Sequence, residues 1–232
     1  MKTLRMFGME MFAIVMGVSL ASCTKDDNPD GGDFSNEKKL VKMVMNDEQG
    51  KALEVFTFRY DSNGRLAESS VSIDYGASTV SANYIWGDDA IQINNLRFDN
   101  VCTLSLSNGL VQSSSDGDSY TYNQSNKITK WGKATVLWDG DMAMSIYDGS
   151  DNYTFTYGES CKKGYYPMLP YFMGYMSPTE MMLFMAHPEI AGMKTKQLPT
   201  KMGGLTFAYE FDKDGYISEF GFNNNKTTLT WE

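Results

Sequence analysis

Apolar and polar residues take turns along most of this chain. Leu205, Phe207, Tyr209 and Phe211 alternate with Thr206, Ala208 and Glu210, and Cys102, Leu104 and Leu106 with Thr103, Ser105 and Ser107. Tyr153, Phe155 and Tyr157 alternate with Thr154 and Thr156, and Met142, Met144 and Ile146 with Ala143 and Ser145. Successive side chains of a strand point to opposite faces, so each run carries one apolar face and one face of small or hydroxylic residues. That pattern predicts antiparallel sheet with one side in water; the long helical crossovers that parallel sheet needs do not appear.

Turn signals separate the runs and repeat. Tyr60-Asp61-Ser62-Asn63-Gly64-Arg65-Leu66, Tyr122-Asn123-Gln124-Ser125-Asn126-Lys127-Ile128 and Phe211-Asp212-Lys213-Asp214-Gly215-Tyr216-Ile217 share an aromatic, Asp or Asn, two polar residues, Gly or Asn, any residue, then an aliphatic. Asp or Asn opens a type I turn, and Gly or Asn tolerates the left-handed position that closes it with a bulge. Asn108-Gly109 and Asp116-Gly117 are further hairpin turns, and Trp86-Gly87-Asp88 and Trp138-Asp139-Gly140-Asp141 a second recurring type. With roughly one turn signal per 8–15 residues, about fourteen to sixteen short strands are expected. They would form an all-β antiparallel meander, a curled or barrel-like sheet that hides its edges.

One stretch breaks the alternation. Residues 165–190 are rich in Tyr, Phe and Met, and within them Ser177, Pro178 and Glu180 stand as N-cap, first helical residue and capping-box partner. A short helix over 178–186 follows, ended by Pro188. A segment this apolar belongs inside the curled sheet as a plug, over a ligand cleft as a lid, or against a partner.

The amino terminus reads differently. Lys2 and Arg5 precede an apolar run, Met11 to Leu20, that is too short to span a bilayer, which takes roughly 20 residues, and reads as a secretory signal over 1–22. Leu20-Ala21-Ser22-Cys23 resembles the bacterial lipobox, which makes Cys23 the lipidated first residue after cleavage. Thr24-Lys25-Asp26-Asp27 resembles the signal that sends such lipoproteins to the outer cell surface, and 23–38 reads as an acidic flexible tether. The expected location is therefore the outer membrane, facing out, with the bilayer met through acyl chains on Cys23. The rest, 39–232, suits one β-rich domain, since all-β units of about 200–250 residues are common. The formal charge is −9 and no basic run occurs, which argues against nucleic acid and against a surface that binds anionic lipid.

Candidate chemistry is sparse. Cys102 and Cys161 are the cysteines left after Cys23 and form either a disulfide or two unpaired thiols; with His187, the single histidine, they fit no zinc site. Glu210-Phe-Asp212-Lys-Asp214-Gly215 imitates the start of an EF-hand loop, but Gly221 stands where its twelfth-position Glu should be, so these acids, like Asp148, Asp151 and Asn152, read as turn formers. No Gly-x-Ser-x-Gly elbow accompanies His187, which reads as a satisfied residue at a helix end. No metal and no cofactor are expected, and a non-enzymatic module is favoured over a carboxylate-pair hydrolase. Trp131 and Trp231 belong to alternating runs and to the core. Trp86 and Trp138 enter turns and, with Tyr165, Tyr166, Tyr171 and Tyr175, are the candidates for binding a glycan or a surface protein.

The lipobox, the Lys-Asp-Asp tether and the Tyr-Asp-x-x-Gly-Arg-Leu hairpins, with Gln197-Leu198-Pro199-Thr200-Lys201 and Tyr209-Glu-Phe-Asp-Lys-Asp-Gly215, resemble a family of Bacteroidota lipoproteins described as a domain of unknown function with a porin-like fold. The resemblance covers roughly Lys39 to Glu232. It implies a many-stranded antiparallel sheet and no established activity.

Overall fold

In a computed structural model, which describes residues 37–174, 176–222 and 224–232, the alternating runs become sixteen strands. They are β1 (Leu40–Asn46), β2 (Ala52–Tyr60), β3 (Leu66–Ile73), β4 (Ser78–Trp86), β5 (Ala90–Asn95), β6 (Asn100–Ser107), β7 (Leu110–Ser114) and β8 (Tyr120–Tyr122). There follow β9 (Ile128–Trp131), β10 (Ala134–Asp139), β11 (Met142–Tyr147), β12 (Asn152–Ser160), β13 (Gln197–Met202), β14 (Leu205–Phe211), β15 (Ile217–Phe222) and β16 (Asn225–Trp231). Apart from β7 and β8, each strand pairs antiparallel with its neighbours in sequence, and β1 pairs with β16. Between β7 and β8 a single bridge, Ser113 to Ser119, stands in for a ladder. The result is a nearly closed barrel. The strict up-and-down order puts residue 39 and Glu232 at one end, here the lower, with every second turn beside them.

The two faces separate as the alternation predicts. Phe56 and Phe58 of β2, Ile91 and Ile93 of β5, Leu104 of β6 and Leu229 and Trp231 of β16 are buried inside. Outside, hydroxyls pair across strands: Thr57 with Ser70 at 2.7 Å, Ser105 with Ser113 at 2.7 Å and Thr121 with Thr129 at 3.1 Å. Such cross-strand pairs contribute roughly 0.2–1 kcal/mol each and keep the outer wall wettable.

The repeated turns share one hydrogen-bond plan. Oδ1 of Asp61, Asn123 and Asp212 accepts the backbone N–H groups two and four residues on, at 2.8–3.0 Å. The closing residues Gly64, Asn126 and Gly215 have φ of 73°, 57° and 92°. A fourth copy, at Asp47 and Gly50, lacks the leading aromatic and escapes the sequence pattern. The repeat is also tertiary. The carbonyls of Leu66, Ile128 and Ile217, which end the three lower turns, accept the indole N–H of Trp86, Trp138 and Trp231 at 2.8, 2.6 and 2.7 Å.

Between β12 and β13 the chain leaves the wall at the lower end and fills the interior. It rises to α1 (Leu169–Phe172), a helix not predicted from the pattern, and descends through α2 (Pro178–Ala186), whose bounds and capping box match the prediction. Met182, Leu183, Phe184 and Met185 are fully buried, so α2 is apolar beyond its first turn, while Pro178 is exposed and Met181 half-buried at its upper end. Phe184 meets Tyr120 of the wall edge-on at 6.1 Å, and Phe172 packs on Phe155 and Phe207. At the foot of α2, the Leu66 N–H donates to His187 Nε2 at 3.1 Å, which leaves the proton on Nδ1 to donate to Glu189 at 2.7 Å. His187 is thereby a satisfied residue at a helix end.

Phe184→Ala is expected to lower unfolding free energy by about 3–5 kcal/mol in urea titration, the cost of emptying a site that cannot collapse. An unchanged midpoint would show that the insertion is not part of the core.

Candidate functional site

The upper end is where the barrel holds chemistry it has not neutralised. Glu180, in the first turn of α2, is 3 % exposed. Its carboxylate accepts from Ser177 N at 3.3 Å and Ser177 Oγ at 2.8 Å, and Tyr120 Oη donates to it at 3.4 Å; the Cys102 thiol is 4.0 Å away. Burial raises its proton affinity against these bonds, and Asp118 and Asp116 add to the rise. The capping role explains why this Glu is tolerated inside.

Glu54 has no such explanation. It shares the inward face of β2 with Phe56 and Phe58, pairs in register with Met45, and is 8 % exposed. Among the described residues, no hydrogen bond reaches its carboxyl. Tyr171 of α1 lies within its electrostatic reach. Burial, with the neighbouring charge of Asp74, pushes its pKa up to about 7. The signal was present in the sequence: Glu54 stands in phase with the apolar residues of an alternating run.

Outside, two shallow recesses are present. One, about 310 Å³, lies on the outer wall and is lined by Thr57, Arg59, Glu68, Ser70, Asn83 and Leu96. The Arg59 guanidinium and Glu68 carboxylate meet there at 2.9 Å. The other, about 220 Å³, lies beside the β7–β8 turn at Asp118, Trp131, Gly132 and Lys133.

The candidates named from sequence do not converge on either. Trp86 and Trp138 stand half-buried at the lower end, their N–H groups spent on turn carbonyls, with Arg65 at 5.9 Å and Lys127 at 5.2 Å over their rings. Tyr165 and Tyr166 are buried, and Tyr165 Oη donates to the carbonyls of Met185 and Ala186 at the end of α2. Tyr171 is half-buried at the upper end beside Glu54. Tyr175 and Cys23, like all of 1–36, lie outside the described residues. Cys102 and Cys161 are both buried free thiols. Among the described residues, no group of three His, Cys, Asp or Glu is placed to hold a metal ion. The acids of the EF-hand-like stretch serve elsewhere: Asp212 builds its turn and Asp214 pairs with Lys38 at 2.7 Å.

No family model and no curated protein matches the chain. Solved structures do. A porin-like protein from Bacteroides uniformis ATCC 8492 superposes with a TM-score of 0.59 at 16% identity, over 83% of this chain and 98% of its own. A porin-like protein from Bacteroides vulgatus ATCC 8482 gives 0.52 at 12%, over 84% and 99%. At such identity the likeness is one of fold.

Glu54 sets a pH dependence whose sign is fixed. Between the ordinary carboxyl value of 4.5 and about 7, the folded protein keeps a proton that the unfolded chain has released, so this group's contribution to stability falls as pH rises through that window. Glu54→Gln should therefore gain about 3 kcal/mol over the parent at pH 8, from the roughly 2.5 pH units at ~1.4 kcal/mol each, and almost nothing at pH 4. Urea midpoints at the two pH values check it; a gain equal at both would place the effect elsewhere.

Proposed function

We propose that this chain is a lipid-anchored, outward-facing module of the outer membrane, cleaved before Cys23 and acylated there, whose barrel is a non-enzymatic binding or structural scaffold rather than a pore. The observation that carries the second half is the polarity of the barrel. A membrane barrel turns an apolar band to lipid and a polar lumen to water. Here the strands turn Thr57, Ser70, Ser105, Thr121 and Thr129 outward, and Phe56 of the wall with Phe184 of the insertion closes the inside. Such a wall suits water, and the bilayer is then met through acyl chains on Cys23. The lipobox and Lys-Asp-Asp tether, and the likeness to Bacteroidota lipoproteins, support the first half.

A ligand reading has one observation behind it. The outer-wall recess sets hydroxyls of Thr57 and Ser70, the amide of Asn83 and a mutually neutralised Arg59–Glu68 pair around about 310 Å³, which suits the hydroxyl groups of a neutral glycan.

The full chain reconstituted in planar bilayers is expected to give no conductance steps. In cells, Cys23→Ala should abolish palmitate incorporation and move the protein out of the membrane fraction. Steady open channels would refute the scaffold reading; membrane retention of the unacylated variant would refute the anchor.

A further inference from the structure

The chain carries no basic run, yet folding gathers lysines that are far apart in sequence. At the root of the barrel, Lys38 donates to Asp214 at 2.7 Å, and its backbone N–H donates to Tyr216 Oη at 3.0 Å. Lys39 is paired through its backbone with Glu232. The segment that opens the insertion comes alongside: the Lys163 N–H donates to the carbonyl of Gly215 at 3.1 Å, and the Lys162 stem lies against Gly215. That brings both to the turn that holds Lys213, and Lys163 and Lys213 both bear on the carboxylate of Asp214. The segment that closes the insertion joins them, since the Cys161 N–H donates to the carbonyl of Lys196 at 2.8 Å and Lys194 reaches Glu37 at 3.9 Å.

Seven of the chain's twenty basic residues thus surround the point where the polypeptide leaves the barrel. The acids of the same sector are Glu37, Glu159, Glu189, Asp212, Asp214 and Glu232, of which Glu37, Asp212 and Asp214 are taken up by Lys194 and Lys38 and Glu189 accepts from His187. Lys162, Lys163, Lys196 and Lys213 are exposed. The sector is net positive on a chain of charge −9. The rest of the lower end is acidic, with Asp61, Asp88, Asp89, Asp139 and Asp141 against Arg65 and Lys127, so the positive charge is confined to this sector; the turns of the upper end carry Asp47, Glu48, Asp74, Asp99, Asp116, Asp118, Asp148 and Asp151 against Lys51, Arg97 and Lys133. Thirteen residues lie between Cys23 and Glu37, at most about 45–50 Å of fully extended chain, so a bilayer that held Cys23 would lie within that distance of this sector.

We propose that the lysine sector round Lys38 is a docking surface for anionic phospholipid headgroups, which sets the barrel lower end down on the bilayer and points its acidic upper end away. The proposal rests on the lipid-anchor reading for its geometry. Ammonium groups within a Debye length of an anionic surface are attracted to it, and the acidic far end is repelled, so one orientation is selected. Four exposed lysines on one sector give the attraction without any apolar insertion.

The test uses the full chain in vesicles of phosphatidylcholine alone or with one part in three phosphatidylglycerol, with lysine acetylation mapped residue by residue by mass spectrometry. Lys162, Lys163, Lys196 and Lys213 are expected to lose label at least about threefold in the anionic vesicles, while Lys51 and Lys133 keep theirs, and molar salt should erase the difference. Equal labelling at both ends overturns the docking. The mass of the Cys23 peptide reads acylation separately, so failure of the anchor is told apart from failure of the surface. In Cys23→Ala chains, flotation should favour the anionic over the neutral vesicles at least about tenfold. That preference should vanish when the four lysines become glutamate or, more gently, glutamine, with melting unchanged. An undiminished preference in both variants also overturns the proposal.

Discussion

A nearly closed sheet of sixteen strands encloses more space than the side chains on its inner face can fill. At this strand number, membrane barrels leave a water channel, and their inward residues are polar to suit it. This chain turns Phe, Ile, Leu, Met and Trp inward instead, so a wet lumen would expose all of them, and the inner face can exist only if something apolar occupies it. The insertion between β12 and β13 is that occupant. Its apolar character and the burial of most of α2 follow from the one constraint. Each fully buried Leu, Met or Phe of α2 contributes roughly 1.5–3 kcal/mol relative to water, and each also keeps a stretch of wall dry.

The two ends of the barrel have different jobs. The lower end is laced together: three tryptophans donate to the carbonyls of three equivalent turns, His187 receives the N–H of Leu66, and the Ile128 N–H reaches the carbonyl of Gly192 at 3.3 Å. The tryptophan bonds tie neighbouring wall strands together, and the last two tie the insertion to the wall. The upper end carries the cost: Glu54 and Glu180 are inside, with burial raising the proton affinity of both. Local stability should follow this division, since openings draw on the regions with fewest buried bonds.

Much of this was legible in the sequence because it is local. Period-two alternation gave the strands and the wet and dry faces, and the Asp61, Asn123 and Asp212 turns were readable because their hydrogen bonds close within five residues. The helix was readable to its ends because Ser177, Pro178 and Glu180 form a cap in consecutive chain. What stayed hidden depends on contacts across the barrel. Trp86 and Trp138 looked open in sequence because they sit by turns, yet each N–H finds a carbonyl 20 or 10 residues away. The Asp47 turn was missed for want of an aromatic before it, a residue the turn itself does not need. The grouping of charge was hidden for the same reason: a sequence without a basic run still folds Lys38, Lys162, Lys163, Lys196 and Lys213 to one side.

The central claim is that the helical insertion is the core of the barrel and not a removable lid. Amide hydrogen exchange of the intact protein tests it most directly. If α2 fills the interior, the amides of Met182 to His187 should exchange in the slowest class, with the strands β2 to β5 and only on global unfolding. Exchange of those amides on the timescale of the exposed turns, while the strands stay protected, would contradict the account.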